Sequence, residues 1–317
     1  MIKVIDYLSP DSPSFMDTVK EFYDMVSKDP GVRVIRYDYK RNIFTKLFTV
    51  LTNKFLFRCS YPFFSNARPY FSMIMGMGYG GSLNKMIFKK NTSVYLFDVW
   101  PATYPFFEYF FRKMRFRNVF LSSRSATSYF NDRISLTKFR WVPEGIDVNS
   151  YSFVDYSKKD IDILQFGRKY ENVHQDIVNR NERFSYLYQN GSEKLFLTNA
   201  DFKQALARTK ISLCFPATAT HPEKAGGIST MTARYLQSMA SKCLVVGIMP
   251  DEMKELFDYM PIVEINLDNP YRHLEDILEH YEDYHGLIER NYECVRKFHS
   301  WGNRWQAMKE EIEKPTN

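Results

Sequence analysis

Residues 224–247 read KAGGISTMTARYLQSMASKCLVVG. Two glycines open this stretch, a helical pattern of about ten residues follows, and a short apolar strand closes it. On a helical wheel the apolar arc holds Ile228, Met231, Tyr235, Leu236 and Met239, and a second arc holds Arg234, Gln237 and Ser241. The stretch predicts a helix, capped by Ser229 or Thr230, that buries one side and leads into a buried strand.

The same alternation of strand and helix recurs on both sides of this stretch. Strands are predicted in MIKVIDYL (1–8), VRVIRYDY (32–39), SVYLFDVW (93–100), RNVFLSS (117–123), DIDILQFGRKY (160–170), EKLFLTN (193–199), KISLCFPAT (210–218), CLVVGIMP (243–250) and MPIVEINL (260–267). Helical patterns lie between several of them, for example ATYPFFEYFFRKMRF (102–116) and ADFKQALART (200–209). Such an order is typical of parallel, doubly wound α/β sheets.

The segment WVPEGIDVNSYSF (141–153) interrupts the alternation with Pro143 and Gly145 near the middle of the 317 residues. We interpret it as an interdomain linker. The predicted domains are 1–148 and 149–298, each with its own doubly wound sheet. The tail 299–317 is predicted as an amphipathic helix that can pack back on the first domain.

Charge divides the chain in the same way. Residues 1–148 contain 22 Lys and Arg against 12 Asp and Glu, whereas the remainder contains 21 against 25. The longest apolar stretch, near residues 43–57, is interrupted by Lys46 and Lys54, so no transmembrane helix is predicted. Four widely spaced cysteines indicate reduced thiols. We expect a folded cytoplasmic protein whose halves face different partners.

The opening stretch has two interpretations. Gly226 and Gly227 let the backbone approach a ligand, and the start of the helix that follows, at Ser229 or Thr230, offers N–H groups and a partial positive charge to a phosphate. Taken alone, however, the pattern is more often a capped amphipathic helix with a surface arginine, since it is neither a Walker loop nor GxGxxG.

A second candidate phosphate site is FGRKY (166–170). Arg168 and Lys169 follow a predicted strand at its carboxyl end, where open α/β sheets bind ligands. Two cations at that point suit a diphosphate, although a solvated basic turn would have the same sequence. Both candidates belong to one predicted domain, where strand ends share one edge, and this agreement favours the phosphate interpretation.

Two further places carry candidate polar groups. The loop PATATHPEKAGG supplies His221, Glu223 and Lys224 after a strand, where they bind substrate or are exposed surface residues. In the first half, Asp98 ends an apolar strand. Its carboxylate can bind sugar hydroxyls or act as a base, or it can cap the next helix.

Residues 40–76 mix Lys and Arg with Phe, Tyr and Met. Such a segment suits an anionic membrane or stacking on sugars, and it also suits a core helix pair with snorkelling lysines. No nucleic-acid signature is present. The DID triplet (160–162) and the three histidines of HLEDILEHYEDYH (273–285) carry weak metal-site signals, so no metal site is predicted.

Three motifs together resemble the GT-B fold glycosyltransferases, especially the large retaining family 4, also called glycosyl transferases group 1. WVPEGID is similar to that family's domain-junction turn, FGRKY to its GR after the first donor-domain strand, and GGISTMTARYLQSMASKCLVVG to its helix and strand with the EAmA motif. The resemblance covers about 141–300 well and the first half in outline.

The resemblance implies two Rossmann-like domains facing a central cleft, with the acceptor on the first and a nucleotide-diphosphate sugar on the second. By position, Arg168 contacts the donor diphosphate, Lys169 assists it, and Gly227, Ser229 and Thr230 hold the same group. Gln237 stands where the family has the second of two glutamates, and Ser229 where it has the first. Arg234 and Glu223 are the substitutes that this departure leaves for the ribose contact.

The function implied is a metal-independent, retaining glycosyltransferase for a glycan or lipid-linked acceptor in surface polysaccharide biosynthesis. It needs no cofactor besides its donor substrate. Contact with an anionic membrane through residues 40–76 would place it at the inner membrane face. The alternatives are a sugar-nucleotide epimerase on the same fold and a non-catalytic, glycosyltransferase-like binding subunit.

Overall fold

The computed structural model describes residues 1–8, 16–36, 68–75, 89–189 and 195–315, together with residues 47 and 86. Within them the chain divides into two compact units. The first comprises Met1–Glu144 and Trp301–Asn317, and the second comprises Gly145–Ser300. The predicted linker contains the division, which falls four residues before the predicted boundary at 148. Labels below number the elements of the described residues only.

The first unit is built on a parallel sheet of six strands in the order β2-β1-β3-β4-β5-β6. The strands are β1 (Ile2–Asp6), β2 (Val32–Arg36), β3 (Tyr70–Met75), β4 (Thr92–Phe97), β5 (Asn118–Leu121) and β6 (Lys138–Trp141). Its helices are α1 (Asp17–Val26), α2 (Tyr104–Met114), α3 (Arg124–Asn131) and, from the end of the chain, α12 (Trp301–Glu313). The predicted α/β class and parallel topology are confirmed.

The C-terminal helix α12 completes the core of this unit. The rings of Trp301 and Trp305 meet Phe22 of α1 edge-on, with centroids 5.4 and 5.7 Å away. Both indoles also donate hydrogen bonds, Trp301 to the Thr18 carbonyl at 2.8 Å and Trp305 to the Asp29 carboxylate at 2.9 Å. Large buried aromatic area with satisfied indole N–H groups is a strong anchor for a terminal helix.

The second unit has a five-stranded parallel sheet in the order β11-β10-β9-β7-β8. Its strands are β7 (Ile161–Gln165), β8 (Tyr186–Tyr188), β9 (Thr209–Cys214), β10 (Leu244–Gly247) and β11 (Val263–Glu264). Its helices are α4 (Glu171–Arg180), α5 (Asn199–Ala207), α6 (Ala217–Thr220), α7 (Pro222–Ala225), α8 (Ala233–Ala240), α9 (Met253–Leu256), α10 (Pro270–Glu279) and α11 (His285–Phe298).

This second sheet is buried on both faces. Successive residues of one strand enter opposite cores: Ile163 packs in one apolar cluster and Leu164 in the other, and Val245 and Val246 of β10 divide in the same way. Strands of parallel sheets are covered on both faces by helices, so they appear in the sequence as continuous apolar runs. The carboxyl edge of the sheet remains as the place where polar loops gather.

One predicted strand was wrong, and only a small part of the predicted membrane-contact segment is described. The strand predicted in EKLFLTN is absent from its described part, residues 195–198, and helix α5 begins at Asn199. Residues 70–75, part of the proposed membrane-contact segment, form strand β3, in which Phe71, Met73 and Ile74 are fully buried. Apart from 47 and 68–75, the predicted membrane segment lies outside the described residues. No helix of the described ranges is long and apolar enough to cross a membrane.

Candidate functional site

The candidate site lies at the carboxyl edge of the second sheet, where β7 leads into helix α4. Gly167 follows the strand with a φ of +76°, a left-handed conformation that glycine adopts without strain. This turn directs the next residues, Arg168 and Lys169, along an open groove of about 650 Å³. The lining consists of Gly167, Arg168, Lys169, Tyr170, Glu171, Asn172, Ala219, Thr220 and His221.

The groove combines side-chain cations with a helix N-terminus. Helix α4 begins at Glu171, immediately after Arg168 and Lys169, and runs for ten residues. Its first N–H groups and its partial positive charge lie beside the two cations. Lys169 is also directed toward β8, since its ammonium lies 3.4 Å from the Gln189 carbonyl and 5.9 Å from the Tyr188 ring centroid. This edge of the sheet is therefore suited to an anion.

Arg234, on the first turn of α8, reaches the same edge. Its guanidinium donates to the carbonyl of Phe166 after β7, at 3.5 Å, and to the carbonyl of Phe215 after β9, at 3.4 Å. Burial raises the pKa of Tyr235, and the charges of Arg234 and Arg168 both act against that shift. Arg234 and Arg168 therefore both lie near Tyr235. The sequence analysis expected the FGRKY motif and the helix after Gly227 to meet at one sheet edge.

The start of α8 differs from the prediction. The helix begins at Ala233 with Thr232 as its N-cap, so Ser229 and Thr230 are not its caps. The Met231 N–H instead lies 3.4 Å from the buried carboxylate of Glu252. Because this tertiary contact and the Ser and Thr residues favour extended backbone, the segment after Gly227 is a loop.

Two hydroxyl groups in this loop have unsatisfied hydrogen-bonding capacity. The Oγ1 atoms of Thr230 and Thr232 are buried, and neither has a hydrogen-bond partner among the residues that the structure describes. Thr232 does not use its hydroxyl to cap α8. Since buried polar groups are normally paired, these hydroxyls mark a place where a polar ligand would satisfy them.

The two glycines before this loop are exposed, as is most of the short helix α7 that precedes them. Gly226 and Gly227 have φ values of +54° and +84°, and a β-carbon at Gly227 would meet no atom within 4 Å. His221 lies at the junction of α6 and α7, lines the groove, and its Nδ1 is 3.0 Å from the Thr220 hydroxyl. The groove that the described residues form includes His221 but not Glu223, an exposed residue of α7.

Gln237 is not brought to the groove. Its side chain is buried inside the second unit, and its Nε2 donates a 2.9 Å hydrogen bond to the phenol oxygen of Tyr151, itself buried. The Tyr151 ring lies 4.5 Å from the Lys203 ammonium. Gln237 therefore ties α8 to Tyr151 of the linker segment, and this bond occupies its Nε2.

Asp98 belongs to the first unit and lies at the carboxyl end of β4. Its φ is +54°, which is uncommon outside glycine and for Asp is tolerated in turns. The next helical turn, Pro101–Thr103, has Trp100 as its N-cap and no side-chain capping bond. The alternative in which Asp98 caps that helix is therefore wrong. Asp98 therefore presents a half-buried carboxylate at the carboxyl edge of the sheet, the edge where open α/β sheets bind ligands.

Comparison with known proteins identifies the fold. No family model matches the sequence, and no curated protein matches it.

Solved GT-B glycosyltransferases match the structure along its whole length. HepE of Anabaena, solved with UDP and glucose, has a TM-score of 0.59 at 9% identity and covers 99% of both chains. The sucrose-phosphate synthase of Thermosynechococcus elongatus has a TM-score of 0.61 at 11% identity over 98% of this chain and 97% of its own. The chain has the GT-B fold.

A third GT-B structure supports the same assignment. The UDP-forming α,α-trehalose-phosphate synthase of Burkholderia xenovorans matches with a TM-score of 0.52 at 11% identity, covering 99% of this chain and 98% of its own. Identities near 10% show a shared fold only. The substrate of this GT-B chain has to be inferred from its own residues. The predicted resemblance to GT-B glycosyltransferases is confirmed at the level of the fold.

The two weak metal motifs of this GT-B chain have structural roles. Asp160 and Asp162 lie at the amino end of β7, opposite Arg168, and form ion pairs with Arg208 and Lys210. His285 stacks on Tyr156 with centroids 3.8 Å apart. Within the described ranges, no three His, Cys, Asp or Glu side chains converge in a group that could hold a metal ion.

Sequence analysis missed a buried polar chain beneath the Arg168 loop. Gln165, the last residue of β7, is only 1% exposed, and both atoms of its amide are hydrogen-bonded. Its partners include Tyr186, on the strand β8 that the sequence analysis did not predict. The available signal was a glutamine directly after the apolar pair Ile163 and Leu164, since burying an amide costs free energy unless it is hydrogen-bonded.

Proposed function

We propose that this chain is a glycosyltransferase that moves a sugar from a nucleotide-diphosphate sugar to a glycan or lipid-linked acceptor. The observation that carries the proposal is the gathering of Arg168, Lys169 and Arg234 at one sheet edge, beside the N-terminus of α4. A diphosphate is the group in such a donor that matches this charge. The GT-B fold and the UDP-bound HepE structure support the choice of ligand class.

The chemistry assigned to these residues is charge stabilisation. During transfer the bond between the anomeric carbon and a phosphate oxygen breaks, and its electron pair remains on the diphosphate. The acceptor hydroxyl oxygen forms the new bond to the anomeric carbon and loses its proton. Fixed cations and N–H groups that face the diphosphate stabilise the charge that develops there. The proposal assigns this role chiefly to Arg168 and Arg234, with Lys169 as a helper.

The loop before α8 supplies the second part of the proposed donor site. The unpartnered hydroxyls of Thr230 and Thr232 are suited to phosphate or sugar oxygens, and the open backbone at Gly227 permits close approach. His221 lines the groove on its other side. Ser229 and Glu223 remain candidates for contacts at the margin of the donor site, whereas the Nε2 of Gln237 is already bonded to Tyr151.

We propose that the first unit binds the acceptor. Asp98, at the carboxyl edge of the first sheet, is the candidate for contacting sugar hydroxyls or accepting the proton of the acceptor hydroxyl. A retaining course without a metal, a cytoplasmic location and a role in building surface polysaccharide at the inner membrane face belong to the same proposal. They rest on the resemblance of the motifs to retaining family 4 and on the basic character of residues 1–148.

A thermal-shift comparison tests the donor site. UDP, GDP, ADP and CMP are each compared with the matching nucleoside, because the nucleoside lacks the phosphate groups that the cations are proposed to bind. A ligand at 100 times its Kd stabilises the folded state by about 2.7 kcal/mol. We expect one nucleoside diphosphate to raise the Tm clearly above its nucleoside. Equal shifts for all eight compounds, or no shift at all, would overturn the proposal.

A non-catalytic binding subunit is the second candidate, and one observation favours it. The position of the family's second glutamate holds Gln237, which is bonded to Tyr151. Incubation with sugar esters of the nucleotide selected above separates the two functions. Slow donor hydrolysis or transfer supports the enzyme, whereas nucleotide binding with neither activity supports the subunit.

A further inference from the structure

A directed chain of hydrogen bonds runs beneath the Arg168 loop. His174 Nδ1 lies 2.8 Å from the Tyr186 phenol oxygen, which lies 3.0 Å from Gln165 Oε1, and Gln165 Nε2 lies 3.2 Å from the Arg168 carbonyl oxygen. His174 belongs to α4, Tyr186 to β8 and Gln165 to β7. Three elements of the second unit therefore converge on one carbonyl of the groove loop.

The proton inventory fixes the direction of this chain. A tyrosine has one phenolic proton, and Tyr186 donates it to the Gln165 oxygen, so the phenol must accept a hydrogen from His174 Nδ1. The Gln165 amide then presents its NH₂ group to the Arg168 carbonyl. Burial lowers the pKa of His174 and raises that of Tyr186, which keeps the imidazole and the phenol in their neutral forms.

The loop that receives this chain has a flexible residue at its centre. Gly167 occupies the left-handed region, and the loop is contacted on one side of it by Arg234, at the Phe166 carbonyl, and on the other by Gln165, at the Arg168 carbonyl. Hydrogen bonds to the carbonyls before and after Gly167 restrict the orientation of the backbone at this glycine. The Arg168 side chain then leaves the backbone at a fixed point beside the groove.

We propose that Gln165, Tyr186 and His174 are positioning residues, which orient the Arg168 loop for a diphosphate. This inference rests on the proposed donor site. A purely structural role would lower the free energy of unfolding when a bond of the chain is removed, and it would leave donor affinity unchanged. The polar chain is instead expected to determine donor affinity and the KM for the donor, with kcat changed less.

Tyr186→Phe tests the proposal, because it removes both hydrogen bonds of the phenol and keeps the ring. The probe is whichever of UDP, GDP and ADP binds the wild-type chain most tightly by calorimetry. Loss of one buried hydrogen bond corresponds to roughly a threefold to tenfold change in an equilibrium constant. We expect about a tenfold weaker Kd and a similarly raised KM for the donor. Tyr156→Phe, which removes a phenol hydrogen bond to Glu289 before the amino end of β7, is the matched control and should leave Kd unchanged.

A double-mutant cycle shows whether the effect passes through Arg168. In an Arg168→Ala background, Tyr186→Phe should change the Kd less than twofold, because coupled residues are not additive. If Arg168→Ala alone leaves the Kd unchanged, or if no nucleotide binds, the proposed donor site itself fails. If Arg168→Ala weakens binding but Tyr186→Phe does not, or does so equally in both backgrounds, only the positioning role fails.

Gln165→Glu provides a second variant if Tyr186→Phe does not fold. The ionised carboxylate can accept from Tyr186 but cannot donate to the Arg168 carbonyl, whereas the protonated acid can. Burial raises the pKa of such a carboxyl group. The ratio of variant to wild-type Kd should therefore fall toward one as the pH is lowered from 8 to about 5.5. A variant that binds the nucleotide as tightly as wild type at pH 8 would overturn the proposed donor bond to Arg168.

Discussion

The guanidinium of Arg234 lies directly against Gly167. A β-carbon added to Gly167 would be 2.8 Å from Arg234 Nη1 and 3.0 Å from its Cδ. Gly167 lies two residues after the end of β7, and Arg234 lies on the first turn of α8. The absence of a side chain at residue 167 is thus what allows a cation from the other candidate motif to reach this turn.

Gly167→Ala should affect stability and donor binding for separate reasons. A left-handed φ costs a residue with a β-carbon about 1–2 kcal/mol, and the new methyl group displaces the Arg234 guanidinium. We expect a lower free energy of unfolding in urea and a weaker Kd for the selected nucleoside diphosphate. Gly227→Ala, with φ +84° and no neighbour within 4 Å, should show a similar backbone cost without that displacement.

The Arg234→Ala background isolates the displacement. Without the arginine, Gly167→Ala should no longer change the nucleotide Kd, although it should still lower stability. The same loss of affinity in both backgrounds would show that Arg234 does not transmit the effect.

Arg168→Ala should lower turnover with the donor by roughly 10²–10³, the scale seen when one preorganised donor to a developing charge is removed. Lys169→Ala should have a smaller effect, because its ammonium is directed toward the Gln189 carbonyl. Initial rates of transfer or donor hydrolysis provide the measurement. Arg180→Ala, which breaks a surface pair with Asp176 at the far end of α4, is the control. Unchanged turnover in Arg168→Ala would contradict the assignment.

The sequence predicted the sheets better than their margins. Strands β7, β9 and β10 each have an apolar centre followed by turn residues, so the sequence predicts them to within a few residues. The false strand at EKLFLTN arose from its apolar letters, yet Leu197 is 85% exposed and Thr198 begins a capping box with Asp201 that starts α5. That capping box, TNAD, was visible in the sequence and should have outweighed three apolar residues.

The candidate site was predictable where it depends on local order along the chain. Arg168 and Lys169 follow a strand, and the carboxyl edge of a parallel sheet places them beside α4. The position of the Gln237 side chain could not be predicted, because its partner Tyr151 is 86 residues away and no local pattern encodes that bond. The start of α8 was missed for the same reason, since Glu252 takes the Met231 N–H through a tertiary contact.

Gln237→Glu should not create a working ribose contact. The new carboxylate would be buried beside the Tyr151 phenol, and burial penalises its charged form. We expect a stability loss of about 1–3 kcal/mol in urea unfolding, with nucleotide Kd and turnover within twofold of wild type. Tyr151→Phe should give a comparable stability loss by breaking the same hydrogen bond. A gain in turnover for Gln237→Glu would show that this side chain reaches the donor.

Asp29→Asn should show a pH-dependent effect on the first unit. Burial of the Asp29 carboxylate disfavours its charge, but hydrogen bonds from Lys309, Trp305 and the Gly31 N–H outweigh burial and lower its pKa below 3.8. The stability supplied by this group is therefore fully present above the unfolded pKa and is lost as the pH falls through the folded value. The wild-type advantage over Asp29→Asn should be about 2 kcal/mol near neutral pH and constant down to about pH 5.

Below that pH the advantage should decline, because wild type titrates and the asparagine variant does not. Urea unfolding of both proteins between pH 7 and pH 3 provides the measurement. Asp251→Asn is the matched control, since its pair with Lys254 is exposed on a different unit and should contribute less than about 0.5 kcal/mol. An advantage that does not change down to pH 3 would show that the carboxylate charge does not hold α12 against the loop after α1. The anchoring would then depend on the other contacts of α12, among them the buried Trp301 and Trp305 rings.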